Sequence, residues 1–161
     1  MENMYAPWRD EYIKKERKGC PFCFIVNNSD KDEETQVLFR SKNCFLVMNK
    51  YPYNPGHFMV IPNLHVDNIE SLNSEVWLEM SDLVQKSVRV LKETFGVKGV
   101  NIGMNLGECS GAGIAEHVHY HLVPRWQRDT NFITSIGNTR VFSTDFEEMY
   151  KKIKLCIQEN F

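Results

Sequence analysis

Three histidines stand at alternate positions of one short segment: His117, His119 and His121. Successive side chains of a β-strand point to opposite faces, so the alternation predicts a strand that carries three imidazoles on one face. The residues between and after the histidines are apolar or aromatic, which predicts that the other face packs on a core. An imidazole can be a nucleophile, a proton carrier or a metal ligand near neutral pH. A solvated histidine face is the alternative, but strict alternation beside a glycine-rich segment favours a functional site.

Length and charge exclude several classes of protein. The 161 residues suffice for a single domain, 1–161, with its own core. A net charge of -2 provides no overall field that would attract nucleic acid or a membrane surface, so we expect neither partner. No apolar run approaches the roughly 20 residues of a membrane span, and the N-terminus lacks the pattern of a signal peptide, so we expect a cytoplasmic protein. The five cysteines are an odd number, which argues against a disulfide framework.

The hydrophobic pattern predicts an α+β domain with an antiparallel sheet of about five strands. One long central helix is predicted to begin near Ser74, as its N-cap, and to end at Gly96. A C-terminal helix is expected within 142–161, over Asp145 to Gln158, and residues 1–19 are expected to form a charged N-terminal arm. The predicted strands are Gln36–Arg40, Cys44–Met48, Phe58–Ile61, Val100–Met104 and Val118–Val123.

Cys20 and Cys23 form a Cys-x-x-Cys pair with three possible meanings: a redox couple, half of a metal site, or reduced thiols without a function. A redox couple of the thioredoxin kind should follow a strand, and no strand pattern precedes Cys20. A zinc site needs two further ligands, for which His65 and His117 are the best candidates. We therefore predict a structural Cys2His2 zinc site. The remaining cysteines are expected to be buried apolar residues: Cys44, Cys109 and Cys156.

Two irregular loops are predicted to serve the histidine face. The loop from Asn49 to His57 contains two prolines and a glycine, and such a loop can carry polar groups to a site that strands hold still. The loop from 104 to 113 has three glycines in seven residues and leads directly into the histidines. Glycine lets backbone N–H groups approach an oxyanion closely. Amide donors beside imidazoles predict phosphate chemistry.

Together these segments resemble the histidine triad (HIT) family of nucleotide hydrolases and transferases. The run His117–Val123 is similar to the family's motif, in which histidines alternate with apolar residues, and the segments Cys20–Ile25, Asn49–His57 and Val60–His65 follow the family's order. Further segments, including Gly111–Ile114, Pro124–Trp126 and Asp129–Phe132, are similar to segments of the bacterial and archaeal diadenosine polyphosphate phosphorylases and hydrolases. The resemblance implies a HIT-like fold, a homodimer, and cleavage of dinucleoside polyphosphates such as diadenosine tetraphosphate.

The resemblance also implies roles for individual residues. His119 would attack the α-phosphorus and form a covalent nucleotidyl-histidine, which phosphate or water would then cleave. His121 would donate to a nonbridging phosphate oxygen, and His117 would brace His119 or bind zinc. Further residues are expected to contact the nucleotide: Phe22, Asn49, His57, Asn105, Gly111, Gly113 and Trp126.

The segment that precedes the histidines departs from the family pattern. Many members place a hydroxyl or amide side chain there to serve the leaving group, whereas this chain has Gly113-Ile114-Ala115-Glu116. A polyphosphate leaving group fits this departure better than an amine, because a phosphate oxyanion needs little protonation. A nucleoside phosphoramidase and a non-catalytic, zinc-stabilised nucleotide-binding module are the alternative interpretations.

Overall fold

The computed structural model describes residues 19–127, 129, 132–137 and 144–161, without the side chains of 132 and 135. The predicted N-terminal arm over 1–19 therefore falls outside the described residues except for Gly19. Within the described part of the chain no helix is long and apolar enough to cross a bilayer.

One antiparallel sheet contains the five strands of the described residues, in the order β1-β2-β3-β5-β4. This arrangement confirms the predicted α+β fold and its five-stranded sheet. In the centre of the sheet, Met59 of the third strand pairs with His121 of the fifth. On the outer side of the fifth strand, Gly103 also pairs with His121. The strands are β1 (Val37–Arg40), β2 (Cys44–Met48), β3 (Phe58–Pro62), β4 (Gly99–Gly103) and β5 (Tyr120–Arg125).

The histidine segment enters the sheet later than its alternation predicted. β5 begins at Tyr120, so His121 lies in the strand, while His117 and His119 precede it. The reason is a competing backbone partner, since the N–H of Val118 donates to the carbonyl of Val66 at 2.8 Å instead of pairing with a strand. The three histidines therefore do not share one flat strand face, and His117 is free to point elsewhere.

Two long helices cover one face of the sheet. The central helix spans Ser74–Phe95 and ends at Gly96, as predicted, but its N-cap is Asn73 rather than Ser74, because the Asn73 side chain accepts the N–H of Val76. The C-terminal helix spans Phe146–Asn160, with the Asp145 side chain as its cap. The other helices, numbered with these two in chain order, are α1 (Pro21–Asn27), α2 (Asp32–Thr35), α3 (Ser74–Phe95), α4 (Phe132–Gly137) and α5 (Phe146–Asn160).

The two faces of the sheet pack against different helices. One alternate set of strand residues, which includes Phe58, Val60 and Leu122, packs with α3 and α5 in the main core. The other set, which includes Met59, packs with Phe22 and other residues of α1 in a smaller cluster. His121 belongs to this second face because it is paired with Met59. The site therefore lies on the face away from the long helices.

The three remaining cysteines differ in exposure. Cys44 is fully buried and Cys156 is half-buried, which agrees with their predicted packing. The prediction for Cys109 was wrong, because it lies exposed in a 3-10 turn, Glu108–Ser110, of the glycine-rich loop. A loop that must turn at the surface leaves its apolar side chains in water.

Candidate active site and metal-binding cluster

Four predicted metal ligands converge at one end of the sheet. Cys20 and Cys23 flank the first turn of α1, where Pro21 takes an early helical position that needs no N–H donor. His65 follows the end of β3, and His117 is brought alongside by the bond between Val118 and Val66. One ligand atom from each residue lies within 4.8 Å of the other three.

The spacing of these atoms agrees with tetrahedral zinc. Zinc bonds of about 2.3 Å to sulfur and about 2.05 Å to nitrogen would separate two nitrogens by about 3.3 Å, and a nitrogen from a sulfur by about 3.6 Å. The Nδ1 atoms of His65 and His117 are 3.3 Å apart. The sulfur of Cys23 lies 3.2 Å from His65 Nδ1 and 3.8 Å from His117 Nδ1, and that of Cys20 lies 3.4 Å from His117 Nδ1. The side chains present therefore fit a closed four-ligand site.

The backbone fixes which nitrogen His117 offers to this cluster. Its Nε2 lies 2.9 Å from the carbonyl oxygen of Pro62, which can only accept a hydrogen bond. The proton therefore sits on Nε2, and Nδ1 presents a lone pair towards the two cysteines and His65. A histidine that binds a metal through one nitrogen usually donates from the other in this way.

The same residue orients His119 through its backbone. His119 Nδ1 lies 2.8 Å from the carbonyl oxygen of His117, so Nδ1 carries the proton and Nε2 carries a lone pair. The side chain is only 6% exposed, and burial lowers the pKa of His119, which favours the neutral imidazole. His119 is thus held as an unprotonated nitrogen base of fixed orientation. That is the form that could attack an electrophile.

His57 and His121 form a second oriented pair. The backbone N–H of Tyr53 donates to His57 Nδ1 at 3.1 Å, so the proton of the neutral His57 ring is on Nε2. That Nε2 lies 3.0 Å from His121 Nδ1, which must then accept, and the proton of His121 is left on Nε2. The His121 ring lies against the His119 ring, with centroids 4.8 Å apart. A lone pair on His119 and an N–H on His121 are therefore adjacent.

Burial keeps this pair of rings uncharged. The pKa of His57 is lowered to about 3 and that of His121 to about 4; burial is the largest cause, and the neighbouring imidazoles contribute to both shifts. Both rings are therefore neutral near pH 7, and the tautomers assigned from their partners apply.

Asn49 and Phe22 border the same imidazoles. The Asn49 side-chain oxygen accepts the N–H of Tyr51 at 2.8 Å, which turns its amide nitrogen towards His57 Nε2 at 3.3 Å. Since that Nε2 already donates to His121, the amide nitrogen of Asn49 lies beside it without donating to it. The Phe22 ring contacts the rings of His117 and His119, with centroids 5.4 and 5.1 Å away.

The predicted glycine-rich loop connects β4 to the histidine segment. It starts directly after Gly103, the partner of His121, so its first residues begin beside the site. Asn105 is half-buried, whereas Gly111 and Gly113 are exposed. Gly111 has a φ of +85°, a conformation that glycine adopts without strain. The contacts of these three residues with a nucleotide stay predictions.

Trp126 is hydrogen-bonded to the loop from Asn49 to His57. Its indole N–H donates to the carbonyl of Pro55 at 3.0 Å, and its backbone N–H donates to Asp129. The buried amide of Asn54 donates to the same carboxylate at 2.9 Å and to the carbonyl of Pro124 at 2.8 Å. Asn54 and Asp129 were not among the site residues that the sequence predicted. The Asn-Pro-Gly-His turn was the available signal for Asn54, but no local pattern pairs it with a residue 75 positions away.

The chain is similar in sequence to known proteins of one family. The family model for the HIT domain matches residues 30–128, more than half of the chain. The AP-4-A phosphorylase of Mycobacterium tuberculosis is 39% identical over 151 residues, which cover 88% of this chain and 76% of that protein. The bis(5'-nucleosyl)-tetraphosphatase (asymmetrical) of Schizosaccharomyces pombe is 32% identical over 95 residues, 59% of this chain and 52% of that protein.

A solved structure shares the fold as well. A Zn-bound histidine triad family protein from Mycobacterium smegmatis superposes with a TM-score of 0.71 at 25% identity, and the match covers 88% of this chain and 94% of that one. The family match, the identity to a curated relative and the shared fold confirm the resemblance that the histidine motif implied: this chain belongs to the HIT family.

Proposed function

We propose that this protein cleaves dinucleoside polyphosphates at an α-phosphate through a covalent nucleotidyl intermediate on His119, with inorganic phosphate as the preferred acceptor. The observation that carries the proposal is the hydrogen bond from His119 Nδ1 to the carbonyl of His117, because it aims an unprotonated Nε2 into the site. The names of the two relatives support the substrate class, since one is an AP-4-A phosphorylase and the other a bis(5'-nucleosyl)-tetraphosphatase.

In the first step, His119 Nε2 attacks the α-phosphorus and forms a P–N bond. The P–O bond to the rest of the polyphosphate breaks, and the leaving group departs as an oxyanion. Its low basicity removes the need for a strong acid, which agrees with Gly113-Ile114-Ala115-Glu116 standing where other members place a polar side chain. The carbonyl of His117 holds the Nδ1 proton of the imidazolium that forms, and the N–H of His121 donates to a nonbridging oxygen.

In the second step, an acceptor oxygen attacks the same phosphorus, the P–N bond breaks and His119 is regenerated. Phosphate as the acceptor converts the AMP group of diadenosine tetraphosphate into ADP, and ATP is the other product. Water as the acceptor would give AMP and ATP. The phosphorylase matches 88% of this chain, whereas the tetraphosphatase matches 59%, and this difference supports phosphate.

The metal cluster has a structural role in this proposal. Cys20, Cys23, His65 and His117 would hold one zinc ion, which would supply fold stability and not a bound water, because all four positions are taken by side chains. His117 would then join the metal site to the active site, since its ring binds the ion and its carbonyl holds His119. A reducing compartment such as the cytoplasm would keep both thiols available.

We also infer a homodimer. β4 lies at one edge of the sheet and pairs with β5 alone among the described strands. Its Ile102 is 46% exposed, and Leu78 of α3 is 65% exposed, so both the edge and the helix offer apolar side chains to a second copy. Light scattering that gives the mass of two chains would agree, and the mass of one chain would contradict this part of the proposal.

The deciding assay incubates the protein with diadenosine tetraphosphate and labelled inorganic phosphate, and separates the nucleotides by chromatography. The proposal predicts ADP that carries label in its β-phosphate, together with unlabelled ATP. AMP and ATP at a rate indifferent to phosphate would replace phosphorolysis with hydrolysis. If the protein cleaves adenosine phosphoramidate rapidly but does not cleave diadenosine tetraphosphate, the proposed substrate class is contradicted. If it cleaves neither compound, the interpretation as a non-catalytic nucleotide-binding module replaces the proposal.

A further inference from the structure

A partly buried set of hydrogen bonds joins the end of β5 to the loop that carries His57. Asp129 lies just beyond β5 and accepts hydrogen bonds from three other residues. Arg125 donates through Nε at 2.6 Å and through an Nη at 3.1 Å, Trp126 donates its backbone N–H at 3.2 Å, and Asn54 donates its amide at 2.9 Å. The bond to Arg125 is the largest cause that lowers the pKa of Asp129 to about 2, so the carboxylate is ionised at neutral pH.

Asn54, which Asp129 holds in place, is also the first residue of a tight turn, 54–57. Its backbone carbonyl accepts the N–H of His57 at 3.1 Å, and Gly56 between them has a φ of +80°. Pro55 at the second position and a positive φ at the third define a type II β-turn. The Asn54 side chain is fully buried, so its amide needs both of its acceptors, Pro124 and Asp129.

This turn determines the position of His57. A change in the position of Asn54 moves the His57 backbone, and His57 Nε2 must stay near 3.0 Å from His121 Nδ1 to keep that ring's N–H aimed into the site. Trp126 reinforces the connection from the other side, because its indole donates to the carbonyl of Pro55 within the same turn. Asn54 is thus held through its side chain by Asp129 and Pro124, and through its backbone it fixes the turn that leads to His57.

We propose that Asp129 is a positioning residue of this enzyme, which acts through Asn54 and the 54–57 turn to hold His57 and thereby the tautomer and aim of His121. The described hydrogen bonds of Asp129 include none with His57, His117, His119 or His121, so it takes no direct part in the chemistry. The proposal rests on the proposed function for its kinetic consequence, but its structural consequence is independent of any substrate.

The test compares three variants of the full-length, metal-loaded protein. Asp129→Ala removes the carboxylate that accepts from Asn54, while the carbonyl of Pro124 still accepts from the same amide. Asp129→Asn keeps one oxygen for Asn54 and loses the charge. Asp32→Ala is the matched control, because Asp32 also accepts two hydrogen bonds from an arginine, Arg40, and its described hydrogen bonds include none with a histidine.

Two measurements are made on each variant. Long-range proton–nitrogen spectra of protein with ¹⁵N-labelled histidine report the tautomer of each ring, and steady-state kinetics with diadenosine tetraphosphate and phosphate report kcat and KM. Asp129→Ala is expected to shift the His57 and His121 nitrogen signals towards values for mixed tautomers. It should also lower kcat at least about tenfold with KM changed less than about threefold, since small misplacements of reacting groups are costly. Asp129→Asn should restore most of both.

The outcomes separate the two proposals. Unchanged imidazole signals and wild-type kcat in Asp129→Ala would overturn the positioning role. An equal loss of kcat in Asp32→Ala would show that the effect comes from a general loss of stability. That result would also overturn the positioning role of Asp129. If the wild-type protein turns over no dinucleoside polyphosphate, the proposed function fails, and the nitrogen spectra alone still decide whether Asp129 positions His121.

Discussion

The stability of the fold should depend on pH through the buried His57. Its pKa is lowered to about 3 in the folded protein, against an ordinary value of 6.5. Between these values the unfolded chain binds a proton that the folded chain does not, so the free energy of unfolding falls as pH falls. From pH 7 to pH 5 the difference amounts to about 2 kcal/mol for this one residue. The stabilisation is fully present above about pH 6.5.

The test replaces His57 with glutamine, whose amide can accept from Tyr53 and donate to His121 but cannot gain a proton in this range. Urea unfolding at pH 7, 6 and 5 gives the free energy of unfolding of both proteins. We expect the wild type to lose about 2 kcal/mol more than His57→Gln between pH 7 and pH 5. The core variant Val60→Ala serves as a control, because it should be less stable at every pH by a constant amount. Parallel curves for the wild type and His57→Gln would refute the assignment of a buried neutral imidazole at this position.

Two further predictions concern the metal cluster and the turn. Purified protein should contain about one zinc per chain by metal analysis, and Cys20→Ser should lower the unfolding temperature far more than it alters KM, since a closed four-ligand site is structural; metal-free protein with both thiols readily alkylated would contradict this. Gly56→Ala should reduce the free energy of unfolding by about 1–2 kcal/mol, because a φ of +80° strains any residue with a Cβ. Gly99→Ala is its control, since Gly99 lies in β4 without a positive φ, and an equal loss there would show that the turn conformation is not the cause.

The sequence predicted the parts of the fold that depend on local pattern. Helix α3 and its stop at Gly96 follow from the spacing of apolar residues and from the ease with which glycine adopts the left-handed conformation. The metal cluster was also predictable, because Cys20 and Cys23 needed two partners and the chain has few histidines to offer. In both cases the residue type leaves few alternatives.

Long-range hydrogen bonds account for what the sequence could not predict. The start of β5 depends on the bond between Val118 and Val66, and alternation alone placed His117 in the strand. The choice of Asn73 over Ser74 as the cap of α3 depends on which side chain reaches the N–H of Val76. The tautomers of the imidazoles likewise depend on backbone groups such as the carbonyl of Pro62, far away in the sequence.

The covalent intermediate provides the most direct test of the account. Protein mixed with diadenosine tetraphosphate without phosphate, and quenched in base, should carry an adenylyl group, because a phosphoramidate bond is labile in acid and stable in base. Peptide mass spectrometry should place the group on His119, and addition of phosphate before the quench should remove it. His119→Ala should show no adduct and lose at least about a thousandfold in kcat. If the wild-type protein turns over diadenosine tetraphosphate but no adduct can be trapped, the assignment of His119 as the nucleophile is contradicted. An adduct on any other residue would contradict it as well.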